Sequence, residues 1–325
     1  MSWYHIVAIV IGAIILFHIL LVELFNYFYF NKRCDGSVSI TYPLPSEFEN
    51  LNVKKSYFEG HKHNRFSVYE YSEKNAKTHK GVILITHGIG TGHFYILNFI
   101  EKLCLNGYIV VAYDAFGSGT SEGRKVGPVA IAARDAKYVA EYVDEKYKNE
   151  RIFAAGHSWG GYAIAHVLRH SKKIEKAIIV SGINCEADFI SFVPGTQLIC
   201  LFLKLYELIH FGKDGVVTIE KVLKTTDKKV LYAQGSEDKL VSPKLHSLKF
   251  KKEFENYQNI EVKVYEGKKH TPFFTLASEK SQWKNLFKFG FMGGKLFPLE
   301  PAYDYREGSV VDEAVLHDFL EFLDK

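Results

Sequence analysis

The sequence predicts an α/β protein: a mostly parallel central sheet flanked by helices, interrupted by a helical insertion and preceded by one long apolar helix. Three observations carry that prediction. Gly81–Thr86 (GVILIT), Tyr108–Tyr113 (YIVVAY) and residues 152–155 (IFAA) are continuous apolar runs, as strands buried on both faces of a parallel sheet require. Segments with apolar residues at helical spacing, 94–106 and 129–147, lie between them. The third run then passes through Gly156-His157-Ser158-Trp159-Gly160 into a packed helix that opens at Gly161.

The 325 residues are 47% hydrophobic and 24% charged, which suits one large core and excludes a disordered chain. Net charge is +4, with lysines spread among acids. No basic stripe results, and nucleic acid is not expected as a partner. Cys34, Cys104, Cys185 and Cys200 lie far apart without metal or redox spacing and read as reduced thiols. The sequence has no internal repeat and no low-complexity tract.

Residues 6–22 carry no charge, and with Leu24 and Phe25 the stretch is long enough to cross a hydrocarbon core as a helix. Trp3 and Tyr4 flank one end and Tyr27 and Tyr29 the other, where amphipathic rings favour the membrane interface. A signal peptide would have a basic start and small residues after the apolar run, and this stretch has neither. Residues 1–34 are therefore read as a membrane anchor. Lys32 and Arg33 follow the span and no Lys or Arg precedes it, which puts the remaining chain on the cytoplasmic face.

After a polar connector at residues 35–49, residues 54–58 and 65–71 read as hairpin strands around a turn at 60–64. His61 and His63 sit in that turn. Without a third ligand nearby, they read as exposed turn residues rather than a metal site. The GVILIT strand ends in His87-Gly88-Ile89-Gly90, a loop able to offer a free backbone N–H at the top of the sheet. Ile89 is the candidate, paired with the N–H of Trp159, for stabilising an oxyanion; His87 reads as structural. Residues 114–121 (DAFGSGTS) lack the spacing of a phosphate loop and read as a rim of the sheet.

The order strand, sharp turn, helix at residues 151–162 has a chemical meaning. A serine hydroxyl is a poor nucleophile unless it stands clear of the sheet, beside a base and near backbone N–H donors, and a tight turn achieves this. Gly156, Gly160 and Gly161 let the helix pass close to the strand. Ser158 is the candidate nucleophile. His87-Gly88-Ile89-Gly90, the Asp114 loop and Gly156-His157-Ser158-Trp159-Gly160, in this order, resemble the α/β-hydrolase superfamily. They are most similar to its lysophospholipase, monoacylglycerol-lipase and serine-aminopeptidase-like branch, over about residues 54–272.

That resemblance implies the α/β-hydrolase fold, then an acid and a histidine, each after a later strand. Residues 229–233 read as a strand running into 234–241 (QGSEDKLV), which resembles the branch's acid loop, with Val241 and Pro243 in its apolar and proline positions. Asp238 is the implied acid, with Glu237 as the alternative. Ile260–Tyr265 alternates as a strand and leads to His270, which among fourteen histidines is the one that follows both the acid loop and a strand. It is the expected base. His246, in a helix expected after Pro243, reads as a surface residue.

Residues 183–228 stand where a short helix would suffice and read as a cap dividing the core into 35–182 and 229–325. Within it, residues 197–211 (QLICLFLKLYELIHF) are apolar nearly all round, after a start signal at Pro194-Gly195-Thr196. The expectation is a lid over an acyl channel, with Leu198, Leu201, Phe202 and Leu205 as candidate substrate-binding residues. In the resembling branch, this position carries the cap that selects the substrate. Residues 290–301 are rich in Gly, Pro and aromatics without a period, and 309–323 read as a capped amphipathic helix.

These readings predict a membrane-anchored serine hydrolase acting through an acyl-enzyme on carboxylic esters. Anchor and lid suggest lipid-type substrates, monoacylglycerol- or lysophospholipid-like. No metal and no organic cofactor is implied. A serine peptidase or a thioesterase is the alternative on the same triad; an aminopeptidase needs a cap carboxylate for the substrate amine, and Glu186, Asp188, Glu207 and Asp214 are available. A silent anchored module that binds a lipid or a protein is the alternative from another class, and the complete Ser, Asp and His set speaks against it.

Overall fold

The computed structural model describes residues 2–33, 40–41, 43–89, 92–189, 195–285, 303–304 and 308–325. Cys34, Gly90, Pro194 and the 290–301 segment therefore lie outside the described residues. One sheet is built from β1 Leu51–Glu59, β2 Arg65–Glu73, β3 Gly81–Thr86, β4 Tyr108–Tyr113, β5 Ile152–His157, β6 Ile174–Val180, β7 Lys229–Gly235 and β8 Ile260–Tyr265. Their order is β1-β2-β4-β3-β5-β6-β7-β8. Only β2 runs against its neighbours, and the remaining pairings are parallel. A two-residue parallel pair, Ile40–Thr41 with Tyr303–Asp304, stands apart.

Among the described residues, the α-helices are α1 Trp3–Phe30, α2 Leu97–Leu105, α3 Ile131–Lys146, α4 Trp159–His170, α5 Gln197–Gly215, α6 Ile219–Thr225, α7 Ser247–Glu253, α8 Leu276–Asn285 and α9 Glu313–Asp324. Residues of α3, α4, α6 and α7, such as Val143, Ile164, Val222 and Phe250, pack with Val82 and Leu84 on one face of the sheet. Residues of α2 and α9, such as Ile100 and Phe319, pack with Ile83 and Ile85 on the other. Alternate residues of β3 thus point to opposite cores, and this is why the run is apolar throughout. The chain order reverses at β3, so the C-terminal ends of β3 and β5 open a crevice of the kind where sites form in such sheets.

Two expectations are corrected. The last helix is capped by Asp312, whose Oδ1 accepts the N–H of Ala314 (3.1 Å) and Val315 (3.2 Å), and it begins after residue 309. The residues before it stay extended because Val311 bridges to Phe274. His246 is not a surface residue: it is 1% exposed, and its Nε2 lies 2.8 Å from Asp188 Oδ2. The cap folds down onto α7 at this point and covers the ring.

The C-terminal half of α1 joins the core. Val22, Asn26 and Phe30 are buried on one helical stripe, and Phe30 belongs to the same buried cluster as Phe58, Phe66 and Val126. Gly127 N donates to Phe30 O (3.1 Å), and Arg33 donates from Nη1 to Gly123 O and from Nη2 to Gly119 O, both at 2.6 Å. α5 lies beside α1, with Phe202 stacked on His18 at 5.2 Å, and its last turn is broken at Gly212.

Candidate active site

Ser158 sits between β5 and α4 at φ 58°, ψ −119°, a conformation that costs a non-glycine residue on the order of 1–3 kcal/mol. The surroundings hold it there. Its N–H donates to Val180 O on β6 (2.8 Å), and its carbonyl accepts from Gly161 N (2.9 Å). A Cβ on Gly156 would stand 2.2 Å from Gly160 O, and one on Gly160 would stand 2.5 Å from Thr86 O. α4 therefore crosses the ends of β3 and β5 at a distance only glycines allow.

Asp238 and His270 meet although 32 residues separate them in sequence: His270 Nδ1 donates to Asp238 Oδ2 at 2.9 Å. The same oxygen accepts Gln234 Nε2 (3.1 Å), and Oδ1 accepts the N–H of Leu240 (2.9 Å) and Val241 (3.0 Å). Burial alone would raise the Asp238 pKa; the His270 charge and the hydrogen bonds from His270, Val241 and Gln234 outweigh it and hold the pKa below the usual carboxylate value. Glu237, the alternative acid, donates its N–H to Lys268 O, and no contact of its side chain with His270 is seen among the described residues.

Two further residues position the His270 loop. Glu279, buried on α8, accepts Lys269 N (3.0 Å) and Thr271 N (2.6 Å), one on each side of the histidine. His157 donates from Nε2 to His270 O (3.0 Å), with the two rings 4.8 Å apart, which ties the strand before Ser158 to the His270 loop. Burial first, then the His270 charge, pushes His157 down to about 3, so it is a neutral donor at ordinary pH.

The His87–Gly88–Ile89 loop borders the elbow. A Cβ on Gly88 would lie 3.4 Å from Ser158 Cβ, so the loop touches the candidate nucleophile. His87 shapes it from beneath, donating from Nδ1 to Gly88 O (2.7 Å) while its Nε2 accepts Ala115 N (3.1 Å). Ile89 is half-buried, and Trp159 heads α4, where first-turn N–H groups have no partner within the helix. The indole of Trp159 is tied to Val129 O (3.1 Å). Asp114 is buried, accepting from His93 N, His93 Nδ1 and Thr120 N, and so braces the rim loop rather than the site.

The comparisons with known proteins agree with this frame. Residues 77–210 match a family model described as serine aminopeptidase, S33. An esterase of Pyrococcus furiosus superposes with a TM-score of 0.57 at 18% identity, covering 80% of this chain and 97% of its own. An acetyl xylan esterase from Paenibacillus sp. R4 gives 0.55 at 13% identity, covering 77% and 87%. The chain has the α/β-hydrolase fold. Among curated sequences, this chain is 27% identical over 108 residues to a proline iminopeptidase of Saccharolobus solfataricus, 33% of this chain and 34% of the relative. It is 23% identical over 142 residues to protein phosphatase methylesterase 1 of Candida albicans, 43% and 39%. The matched part thus spans about a third to two fifths of those relatives.

The segment expected to form the cap differs from a simple channel wall. Leu198, Leu201 and Leu205 are 41%, 61% and 46% exposed, on the side of α5 opposite the buried Leu203 and Glu207, while Phe202 faces α1. Beneath α5 lie two buried carboxyls. Glu186 Oε2 accepts Val129 N (2.9 Å), while Glu186 Oε1 and both oxygens of Glu207 have no partner among the described residues. Burial raises Glu186 to about 7 and, with the Glu186 charge, Glu207 to about 9.

Proposed function

We propose that this chain is a serine hydrolase that cleaves carboxylic esters through Ser158, His270 and Asp238. The observation that carries the reading is the strained Ser158 turn, tied through His157 to the loop of a histidine whose Nδ1 is bonded to a four-fold bonded aspartate. His270 Nε2 takes the Ser158 proton as Oγ attacks the ester carbonyl, and Asp238 holds the tautomer and stabilises the imidazolium. The N–H groups of Ile89 and Trp159 receive the oxyanion, with each such donor worth about 3–4 kcal/mol in comparable sites. His270 then protonates the leaving alcohol, and water releases the acyl group by the same steps in reverse.

The ester is lipid-like, a monoacylglycerol or lysophospholipid, delivered from a membrane that α1 anchors. Supporting this, α1 is apolar along a length sufficient to cross a hydrocarbon core and most of it is exposed, as in a helix that faces lipid. Lys32 and Arg33 after the span favour the cytoplasmic face. The test is hydrolysis of p-nitrophenyl esters of increasing acyl length by the full chain in detergent, with Ser158→Ala alongside. Turnover that rises with chain length and falls by several orders of magnitude in the variant supports the reading. Turnover confined to acetate retains the triad and removes the lipid preference.

The buried carboxyls of Glu186 and Glu207, three of whose four oxygens have no hydrogen-bond partner among the described residues, favour a second reading, an aminopeptidase whose cap holds the substrate amine. Cleavage of amino-acid p-nitroanilides, lost in Glu207→Gln, would select it over the esterase.

A further inference from the structure

α1 has two parts. From Trp3 to Phe17 its residues are exposed, and from His18 onward a stripe at His18, Val22, Asn26 and Phe30 rests on the protein. The free part, residues 3–17, measures about 22 Å at 1.5 Å per residue. A hydrocarbon core is about 30 Å thick. The shortfall of about 8 Å equals about five more residues, which brings the boundary to Val22, and the next residue, Glu23, is the first charge of the helix. Tilting α1 lengthens the path and only increases the overlap.

The five residues that complete the span include His18, and His18 stacks on Phe202. One turn further along both helices, Tyr206 feels the charge of Glu23, so α5 runs beside α1 in the same direction across the boundary. Whatever depth His18 has, Phe202 shares. At about 100° per residue, Leu198, Leu201, Leu205, Leu208 and Ile209 fall within an arc of about 100° opposite Leu203 and Glu207, and these five are 41–69% exposed. Lys204 lies at the edge of the arc, where a long stem lets its ammonium reach the headgroups. Glu207 is turned inward; past Tyr206, which is level with Glu23, Leu208 and Ile209 fall at the headgroup boundary and His210 and Lys213 lie beyond it, where water begins.

We propose that the outer face of α5 is a second lipid contact: the cap helix is sunk into the leaflet beside α1, with Leu201 and Leu205 in the acyl region. This rests on the anchor reading and extends it. Its occupant is the lipid bilayer rather than a bound acyl chain, because the face points away from the domain. The domain is thereby held with its cap in the membrane, and a lipid ester reaches the cap without crossing water.

The test reads depth. In the full chain with Cys34→Ser and Cys200→Ser, Cys104 and Cys185 being buried, a nitroxide is attached at Leu201→Cys, Leu205→Cys, Ile11→Cys or Leu248→Cys. The protein is reconstituted in phosphatidylcholine–phosphatidylglycerol vesicles, and collisions with oxygen and with an aqueous nickel chelate are compared. Labels at 201, 205 and 11 are expected to collide severalfold more with oxygen, and the label at 248, on α7, more with nickel. If 201 and 205 behave like 248 while 11 stays in lipid, the proposal fails and the anchor stands. If 11 is also in water, the anchor fails and the proposal with it. Shielding of 201 from both reagents, with dipolar broadening between labels, would mean that a second copy covers this face, which also overturns it.

Discussion

Asp238→Asn tests the acid most sharply, because the carboxylate accepts on both oxygens at once. Oδ1 takes two backbone N–H groups and Oδ2 takes His270 Nδ1 and Gln234 Nε2. An asparagine has one oxygen, so its NH2 must face two donors whichever way it turns. With the oxygen toward the backbone, His270 can bond to the amide only through an unprotonated Nδ1, which leaves the proton on Nε2, the atom that must receive the serine proton. Two lost bonds to a charged acceptor amount to about 3–6 kcal/mol at about 1.5–3 each. The wrong tautomer in comparable triads costs about 10⁴-fold in kcat, about 5.4 kcal/mol at 1.36 per tenfold. The two figures agree, and the expected result is a kcat about 10³–10⁴-fold lower with KM within about threefold. Stopped-time p-nitrophenyl ester hydrolysis from pH 6 to 9 measures it. Retention of more than about a tenth of kcat, or a larger loss in Glu237→Gln, would refute the assignment.

Three further outcomes are expected. Glu279→Gln places an amide NH2 against one of the two N–H groups that bracket His270, and kcat should fall about 10–100-fold at nearly constant KM, corresponding to one charged hydrogen bond. Phe30→Ala removes a core side chain that is 3% exposed and should cost about 3–5 kcal/mol in urea unfolding in detergent, whereas Leu24→Ala, at an exposed position of the same helix, should cost under about 0.5. His166, buried and donating to Val217 O, is pushed down to about 3 by burial and by Arg169. The unfolded chain binds its proton below pH 6.5 and the folded one does not, so stability falls as pH drops from 6.5 toward 3, by about 1.4 kcal/mol per unit from this residue. Urea melts at pH 7 and 5.5 should show a shallower pH slope in His166→Gln.

Much of the frame was legible because it follows from burial. β3, β4 and β8 match the sequence reading residue for residue, since a strand covered on both faces can only be apolar throughout and a half-covered one alternates. The elbow was legible because only glycines admit α4 so close to β3 and β5. Asp238 and His270 were reached through family resemblance; nothing local in either loop announces a pairing across 32 residues. Glu279 and Gln234 were missed, as a carboxylate or an amide that binds backbone N–H groups leaves no periodic trace. His246 was misread for a similar reason: its partner Asp188 lies in the cap, 58 residues away. In α1, exposed and protein-facing positions are both largely apolar, so the docked stripe was hidden. Only His18 and Asn26, polar residues on one face of an apolar helix, hinted at it.

Covalent labelling asks most directly whether Ser158 is the nucleophile. The folded full chain is treated with a long-chain alkyl fluorophosphonate, digested, and the peptide carrying residues 152–168 is weighed. The adduct is expected on Ser158 alone, absent from Ser158→Ala and slowed at least a hundredfold in His270→Ala. Labelling of another serine, or equal labelling of the Ser158→Ala variant, would contradict it.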